Sequence, residues 1–130
     1  VFGFQIDEQQ ARFRGGVLLL ARKTNAPVVP LAIDGSWDAW SRHRKLPRLG
    51  AAIGMRIGEP IPAEVLGAME EAEGLEHLKR EVEKLRLEVR GDLRRATRGA
   101  WPKPGPGDVP YWAEQDADPV DNSPEVKEKD

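Results

Sequence analysis

The sequence of 130 residues contains no cysteine and only two histidines, His43 and His77. The absence of cysteine excludes disulfide bonds, thiolate metal sites and cysteine nucleophiles. With so few histidines, a zinc site would need mainly carboxylate ligands, which is uncommon. The longest apolar run, Val17–Ala21, is much shorter than the roughly 18 residues of a membrane-spanning helix. We therefore expect no metal site, no cofactor and no transmembrane segment in this chain.

Charge, by contrast, is abundant: 32% of the residues are Asp, Glu, Lys or Arg, and the two halves differ in sign. Residues 1–61 carry nine Lys or Arg and five Asp or Glu, whereas residues 62–130 carry 11 and 17. The front half therefore has a net charge of +4 and the rear half of −6. This asymmetry favours an anionic ligand or surface at the front half without identifying it.

The first 62 residues alternate between helix and strand signals, which predicts an α/β fold. An apolar run with a basic end predicts a short helix over Val17–Lys23. The apolar, β-branched segment Val28–Ile33 predicts a strand buried on both faces, with Pro30 marking an edge or a bulge. A helical turn and then a basic loop are predicted to follow, over 36–41 and 42–48.

A second strand is predicted over Ala51–Ile57. Within it Ile53, Met55 and Ile57 stand two residues apart, so their side chains share one face.

A long amphipathic helix is predicted from Leu75 to about Arg98. Apolar residues recur there at steps of three and four, which places them on one stripe with charged residues elsewhere. The stripe consists of Leu75, Leu78, Val82, Leu85, Val89, Leu93 and Ala96.

Residues 99–130 are rich in proline and end in an acidic, lysine-dotted run. Such a segment buries too little apolar area to offset its ordering entropy, so we predict that it is mostly disordered. Its first part is expected to contact the domain through Trp101, Val109, Tyr111 and Trp112. The predicted organisation is thus one domain over 1–98 and a tail over 99–130.

Four basic residues of the 42–48 loop follow two tryptophans, Trp37 and Trp40. Guanidinium groups bind phosphate bidentately, and tryptophan is favoured at membrane interfaces, so the loop is a candidate phosphate or membrane surface. Single-stranded nucleic acid is an alternative ligand, although no recognisable nucleic-acid motif is present. A solvated loop without a ligand is the other interpretation. The four residues are Arg42, Arg44, Lys45 and Arg48.

No residue stands out as catalytic. Ser36 has no histidine at a diagnostic spacing, and a serine after a strand is more often a turn or cap residue. His43 lies in the basic loop and is better explained as a solvent-facing loop residue. His77 falls on the charged helix, and Glu59 is better explained as a capping or ion-pairing residue.

Four segments of the front half nevertheless follow one another in the order typical of an enzyme family: Phe13–Val17, Asn25–Ser36, Arg44–Arg48 and Arg56–Ile61. In that family a Phe-(Lys/Arg)-x-Gly segment opens a helix, a Val-Pro-(Val/Leu)-x-Ile strand follows, and a basic loop leads to a Gly-Glu-Pro-Ile strand end. The chain therefore resembles the C-terminal half of a PlsC-type 1-acyl-glycerol-3-phosphate (lysophospholipid) acyltransferase. The resemblance covers about Phe13 to Ile61.

This resemblance implies a partial acyltransferase domain, with a mixed or parallel sheet and flanking helices. It implies acyl transfer from acyl-CoA or acyl carrier protein to lysophosphatidic acid or a related lysophospholipid. The complete enzyme would lie peripherally on the cytoplasmic face of the membrane, with no nucleic-acid partner. The matching substrate-binding positions are Arg14, Gly15, Gly16 and Pro30.

The family's catalytic His-x-x-x-x-Asp block is missing, since the positions five after His43 and His77 hold Arg48 and Val82. Its Glu-Gly-Thr-Arg block is also absent before Phe13. We therefore expect a truncated piece or divergent relative, inactive alone. The alternative is a noncatalytic module whose helix pairs with a partner helix and whose loop binds phosphates or nucleic acid.

Overall fold

The structure is a computed structural model and describes residues 15–41 and 43–115. Its helices are α1 (Gly16–Thr24), α2 (Ser36–Ala39), α3 (Ala63–Gly67), α4 (Glu71–Ala96) and α5 (Tyr111–Gln115). Two strands, β1 (Leu31–Asp34) and β2 (Gly54–Ile57), and a 3-10 turn at Pro106–Asp108 complete the elements.

Helix α1 confirms the helix predicted from the apolar run. It ends where Asn25 takes the left-handed conformation, with φ of 53°, and Pro27 follows. Basic residues in its last turn interact favourably with the negative end of the helix dipole. Leu18 is fully buried and joins Ile61, Leu66 and Leu78 in the apolar core, so α1 and α3 pack at the start of α4.

Strands β1 and β2 form an antiparallel pair, in which Leu31 faces Ile57 and Ile33 faces Met55. The resemblance implies a mixed or parallel sheet; an antiparallel pair is compatible with a mixed sheet and excludes only the parallel arrangement for these two strands. A parallel connection needs a crossover, usually a helix that returns along the sheet. The connection here contains only the single turn of α2, so the chain turns back beside β1.

Both strands are shorter than predicted at their N-terminal ends. Pro30 has no N–H to donate and interrupts the first segment, so regular pairing begins at Leu31. Around this interruption Val28 and Ile61 exchange two backbone hydrogen bonds, of 2.9 and 2.8 Å. The carbonyl of Pro30 accepts a hydrogen bond of 2.8 Å from the N–H of Gly58. Pro30 thus lies between two paired stretches. The three steps from Val28 to Leu31 face four steps from Ile57 to Ile61, so the extra residue belongs to the second segment and not to that of Pro30.

The two faces of the β1–β2 pair differ in cover. Ala32 and Asp34 are buried on the face that α4 covers. On the opposite face Leu31, Ile33 and Met55 are 43%, 52% and 61% exposed. The prediction that the first strand is buried on both faces is therefore wrong. The predicted alternation of the second strand is present, but its apolar face, including Ile57, is exposed.

Helix α4 confirms the long amphipathic helix and begins four residues earlier, at Glu71. Acidic residues in its first turn and arginines in its last turn both suit the helix dipole. Leu78, Val89 and Leu93 of the predicted stripe are buried, whereas Ala96 is exposed. The stripe packs mainly against β1 and β2.

Residues 99–115 return along α4. Trp101 and Pro102 are buried, and the backbone N–H of Trp101 donates a 2.9 Å hydrogen bond to Thr97 Oγ1. Farther back, the hydroxyl of Tyr111 donates a 2.6 Å hydrogen bond to Glu76. The contacts expected of Trp101, Tyr111 and Trp112 are thus present, while Val109 is exposed. The rest of the predicted tail, 116–130, lies outside the described residues.

No helix in the described ranges is both long enough and apolar enough to cross a membrane.

Candidate functional site

The basic loop between α2 and β2 is folded back on itself by three hydrogen bonds. The indole N–H of Trp40 donates to the carbonyl of Arg44 at 3.1 Å. The backbone N–H of Arg44 donates to Ser41 at 3.0 Å, and that of Arg48 to Ala39 at 2.8 Å. The loop therefore has a defined path, although its side chains are exposed.

Arg48 is further held by an aromatic side chain from beyond α4. Its guanidinium carbon lies 5.2 Å from the centroid of the Trp101 ring, within the range of cation–π attraction. Because Trp101 is buried, the position of Arg48 depends on the packing of residues 99–102.

Arg44 and Arg48 line a shallow depression of about 150 Å³ together with Trp37, Asp38 and Ser41. This volume is well above the roughly 15 Å³ that one water molecule needs. Among the described residues, no carboxylate lies within ion-pair distance of Arg44 or Arg48. Asp38 points its charge elsewhere, with Oδ2 at 3.6 Å from Arg90. Arg44, Arg48 and Ser41 thus provide guanidinium and hydroxyl donors to this depression, which the carboxylate-bearing Asp38 also lines.

Of the other two residues predicted for the phosphate or membrane surface, the structure describes only Lys45. Lys45 is exposed on the same loop, and no described carboxylate pairs with it. Arg42 and Arg14 lie outside the described residues.

Gly15 and Gly16, the predicted substrate-binding glycines, lie at the start of α1 and far from the basic loop. A Cβ at Gly15 would overlap the carboxylate of Glu71, so an acidic side chain already occupies this helix N-terminus. Glu71 is the first residue of α4, and Trp101 lies beyond its other end. The 26 residues of α4 span roughly 39 Å at about 1.5 Å each. The two predicted groups therefore do not form one site.

Pro30 lies between these two ends. It is buried, and its Cγ would be 2.9 Å from a Cβ placed on Gly58. Leu85 of α4 would be equally close, at 2.8 Å. Pro30 and Gly58 therefore allow β1, β2 and α4 to approach closely, which is a packing role.

The largest charged cluster among the described residues was not predicted from the sequence. Three arginines of α4 at four-residue spacing, Arg86, Arg90 and Arg94, face the end of β1 and the 3-10 turn. At the centre, Arg90 lies 3.2 Å from Asp34 and 2.6 Å from Asp108. The side chains of Arg90 and Asp34 are each only 7% exposed.

The outer two arginines complete this cluster. Arg86 pairs with Glu83 at 2.7 Å and donates to the carbonyl of Gly107 at 2.8 Å. Arg94 pairs with Asp108 at 2.6 Å and donates to the carbonyl of Pro102 at 2.9 Å. The arginine row therefore joins α4, β1 and residues 102–108.

Electrostatics reinforce these pairings. Burial alone would raise the pKa of Asp108, but hydrogen bonds from Arg90, the Gly105 N–H and Arg94 lower it to about 2. Burial alone would lower the pKa of Arg90, whereas its hydrogen bonds to Asp108 and Asp34 hold the pKa above its ordinary value. Both groups are therefore ionised at neutral pH and are already paired, so the row is structural.

The residues considered as catalytic candidates remain apart. Ser36, His43 and Glu59 are exposed, and His77 is half-buried on α4. Within the described ranges, no three side chains of His, Asp or Glu approach closely enough to hold a metal ion. Among the described residues, the basic loop carries two depressions that could hold a ligand: the Arg44–Arg48 depression and a larger, more open one of about 550 Å³ lined by residues 44–49.

Comparison with known proteins adds no relative: no family model, no curated protein and no solved structure matches this chain.

Proposed function

We propose that this chain is the C-terminal part of a PlsC-type lysophospholipid acyltransferase domain, and that its Arg44–Arg48 depression binds the phosphate of the acceptor. The observation that carries the proposal is that two of the segments on which the resemblance rests, Asn25–Ser36 and Arg56–Ile61, pair with each other. Val28 bridges to Ile61, Pro30 accepts a hydrogen bond from Gly58, and β1 pairs with β2.

The uncovered face of the β1–β2 pair also supports this proposal. An antiparallel sheet commonly leaves one face in water, and that face is then polar, whereas a contiguous apolar face normally has a cover. Here α4 covers one face, while the other presents Leu31, Ile33, Met55 and Ile57. Such a face suits a sheet that belongs to a larger domain.

The charge of the depression sets the substrate class. A lysophosphatidic acid headgroup is a phosphate monoester, and two guanidinium groups form strong, directional hydrogen bonds with its oxygens. The start of α1 is a poorer position for this phosphate, because the Glu71 carboxylate already lies there.

Acyl transfer also needs a general base that deprotonates the acceptor hydroxyl. The family's base belongs to the His-x-x-x-x-Asp block, which this sequence does not contain. The proposal therefore assigns acceptor binding to this chain and leaves the proton transfer to that block.

Phosphate binding is tested by titrating the chain with glycerol 3-phosphate and following tryptophan fluorescence, since Trp37 lines the depression. We expect saturable binding that Arg44→Glu weakens at least about tenfold, because one charge-assisted hydrogen bond contributes about 1.5–3 kcal/mol. Lys23→Glu, an equal charge change on α1, serves as the matched control. Equal binding by both variants would contradict a site at Arg44.

Membership of the family is tested by reading the coding DNA upstream of the Val1 codon. We expect an in-frame His-x-x-x-x-Asp block followed by Glu-Gly-Thr-Arg. The longer product should transfer acyl groups to lysophosphatidic acid and lose that activity when the histidine is replaced by alanine. A native product that lacks both blocks would overturn the acyltransferase proposal.

The alternative of a helix-pairing module has little support in the described part of the chain. The apolar stripe of α4 is already packed on β1 and β2, with Leu78, Val89 and Leu93 buried. Nucleic acid remains a competing ligand for the loop, and it forms one arm of the experiment below.

A further inference from the structure

The basic loop also exposes large apolar side chains. Leu49 is fully exposed, at 101%, Leu46 is 76% exposed, and Trp40 is 60% exposed. A single exposed leucine needs no explanation, whereas Leu46 and Leu49 form an apolar patch, since they line one open depression together with Pro47. Trp40 is joined to the same loop by its hydrogen bond to the carbonyl of Arg44. Sequence reasoning singled out the basic residues of this loop and overlooked its leucines.

Backbone hydrogen bonds hold the loop in the conformation that presents this patch. Trp40 is tied to Arg44, and Arg48 is tied to Ala39 and packed on Trp101. The chain leaves the loop at Gly50, whose φ of 79° strongly favours glycine. The leucines are therefore exposed by a fixed loop path.

Charge surrounds the apolar residues on the same segment. The ten residues Trp40–Leu49 include four Lys or Arg and no Asp or Glu. In the described ranges, Arg44 and Lys45 have no carboxylate partner. The patch is therefore apolar and cationic at once, which matches an anionic bilayer surface, with its acyl chains beneath lipid phosphates.

We infer that Trp40 and residues 43–49 form a membrane anchor that inserts Leu46 and Leu49 into an anionic bilayer. Trp40 lies at headgroup level, and Arg44 and Lys45 contact lipid phosphates. Leucine has no aromatic face on which a base could stack, so the apolar part of this patch is better suited to lipid than to RNA. The inference deepens the proposed function and rests on it in placing the acceptor phosphate at a bilayer surface.

The test is sedimentation of the full chain with vesicles of phosphatidylcholine alone or of phosphatidylcholine and phosphatidylglycerol in equal amounts. We expect binding to the anionic vesicles and much weaker binding to the neutral ones. Leu46→Ser with Leu49→Ser should reduce the partition coefficient at least about tenfold, since both side chains would leave water on binding. The double variant preserves every charge and changes only exposed side chains.

A matched control exists on α1, where Leu19 and Leu20 are 53% and 64% exposed. Leu19→Ser with Leu20→Ser should leave vesicle binding unchanged. Depth is measured with lipids brominated on their acyl chains, which should quench the wild-type tryptophan fluorescence. Trp40→Phe should remove most of that quenching.

Several outcomes would overturn the anchor. Wild-type partitioning by the Leu46/Leu49 variant, or an equal loss in the Leu19/Leu20 variant, would show that this loop does not insert. Tighter binding to a single-stranded oligoribonucleotide than to anionic vesicles would assign the loop to nucleic acid. Failure of glycerol 3-phosphate binding with vesicle binding intact would remove the phosphate site of the proposed function and leave the anchor.

Discussion

The arginines of α4 and those of the basic loop carry the same guanidinium group in opposite surroundings. Arg90 is buried and contacts Asp34 and Asp108, whereas Arg44 is exposed and has no described carboxylate partner. Arg90 therefore joins α4 to β1 and to the 3-10 turn, whereas the guanidinium group of Arg44 is accessible to a ligand. The comparison shows that partners and burial, and not residue type, separate cations held in the fold from cations left accessible to solvent.

The largest expected effect comes from breaking the buried side of this comparison. Arg90→Met should destabilise the chain by about 3–5 kcal/mol, because it leaves the buried Asp34 carboxylate without its main partner. Urea unfolding followed by circular dichroism measures the change. Arg95→Met, at an exposed pair with Asp92, is the control and should cost less than about 1 kcal/mol. An equal loss of unfolding free energy in the two variants would show that the buried pair of Arg90 contributes no more to stability than the exposed pair of Arg95.

Removing both partners should sharpen the same point. Arg90→Met combined with Asp34→Asn should be less destabilising than the sum of the single variants, by about 0.5–3 kcal/mol, because no buried charge then lacks its main partner. The coupling energy is obtained from four urea unfolding curves. Strict additivity would mean that Asp34 and Arg90 do not interact in solution.

Because the pKa of Asp108 is low, the stability that its pairing with the arginine row contributes depends on pH. Its pKa is about 2 in the folded chain and 3.8 ordinarily, so its ionised form stabilises the fold above pH 3.8. That contribution is lost as the pH falls from 3.8 towards 2. The difference in unfolding free energy between wild type and Asp108→Asn should therefore be largest at neutral pH, on the order of 2 kcal/mol, and shrink through this range. A difference that does not change between pH 7 and pH 2.5 would contradict the pairing.

The smallest effect on stability is expected in the loop. Arg44→Ala should change the unfolding free energy by less than about 0.5 kcal/mol, since the side chain is exposed and unpaired among the described residues. Arg48→Ala should cost up to about 1 kcal/mol, because it removes the contact with Trp101. Thermal unfolding of both variants measures this order. A larger loss for Arg44 would assign it a structural role.

The sequence predicts α1, α2, α4, both strands and the basic loop, since each depends on local pattern. Periodicity places α4, and the run before Pro27 places α1. Helix α5 is not predicted, because it lies in the segment expected to be mostly disordered. Of the leucines on the α4 stripe, Leu78 and Leu93 are buried, whereas Leu75 and Leu85 are half-buried. Local pattern does not show which side chains from distant parts of the chain contact one another. The predictions therefore lack these long-range contacts.

The arginine row illustrates that limit. Arg86, Arg90 and Arg94 stand four residues apart, which puts them on one helix face, and charged helix positions were interpreted as exposed. Their burial depends on Asp34, which is 56 residues away from Arg90. The four-residue spacing was visible in the sequence, but the carboxylates that justify it are brought near only by the tertiary fold.

The candidate site is split for a related reason. The resemblance orders its segments along the chain, but it does not give distances between them. Gly15 lies at one end of α4 and Arg48 contacts Trp101 beyond the other. Sequence order alone could not show that the glycines and the basic loop are far apart.

The return of residues 99–115 along α4 decides where this protein can be shortened. A stop codon after Arg98 would remove Asp108 and the carbonyls of Pro102 and Gly107, all of which contact the arginine row. Such a deletion would remove the ion pairs of Arg90 and Arg94 with Asp108 and the hydrogen bond of Arg94 to the carbonyl of Pro102, and we expect it to destabilise the fold. An expression boundary drawn by composition at the start of the proline-rich segment would therefore cut through the unit that the described residues fold into.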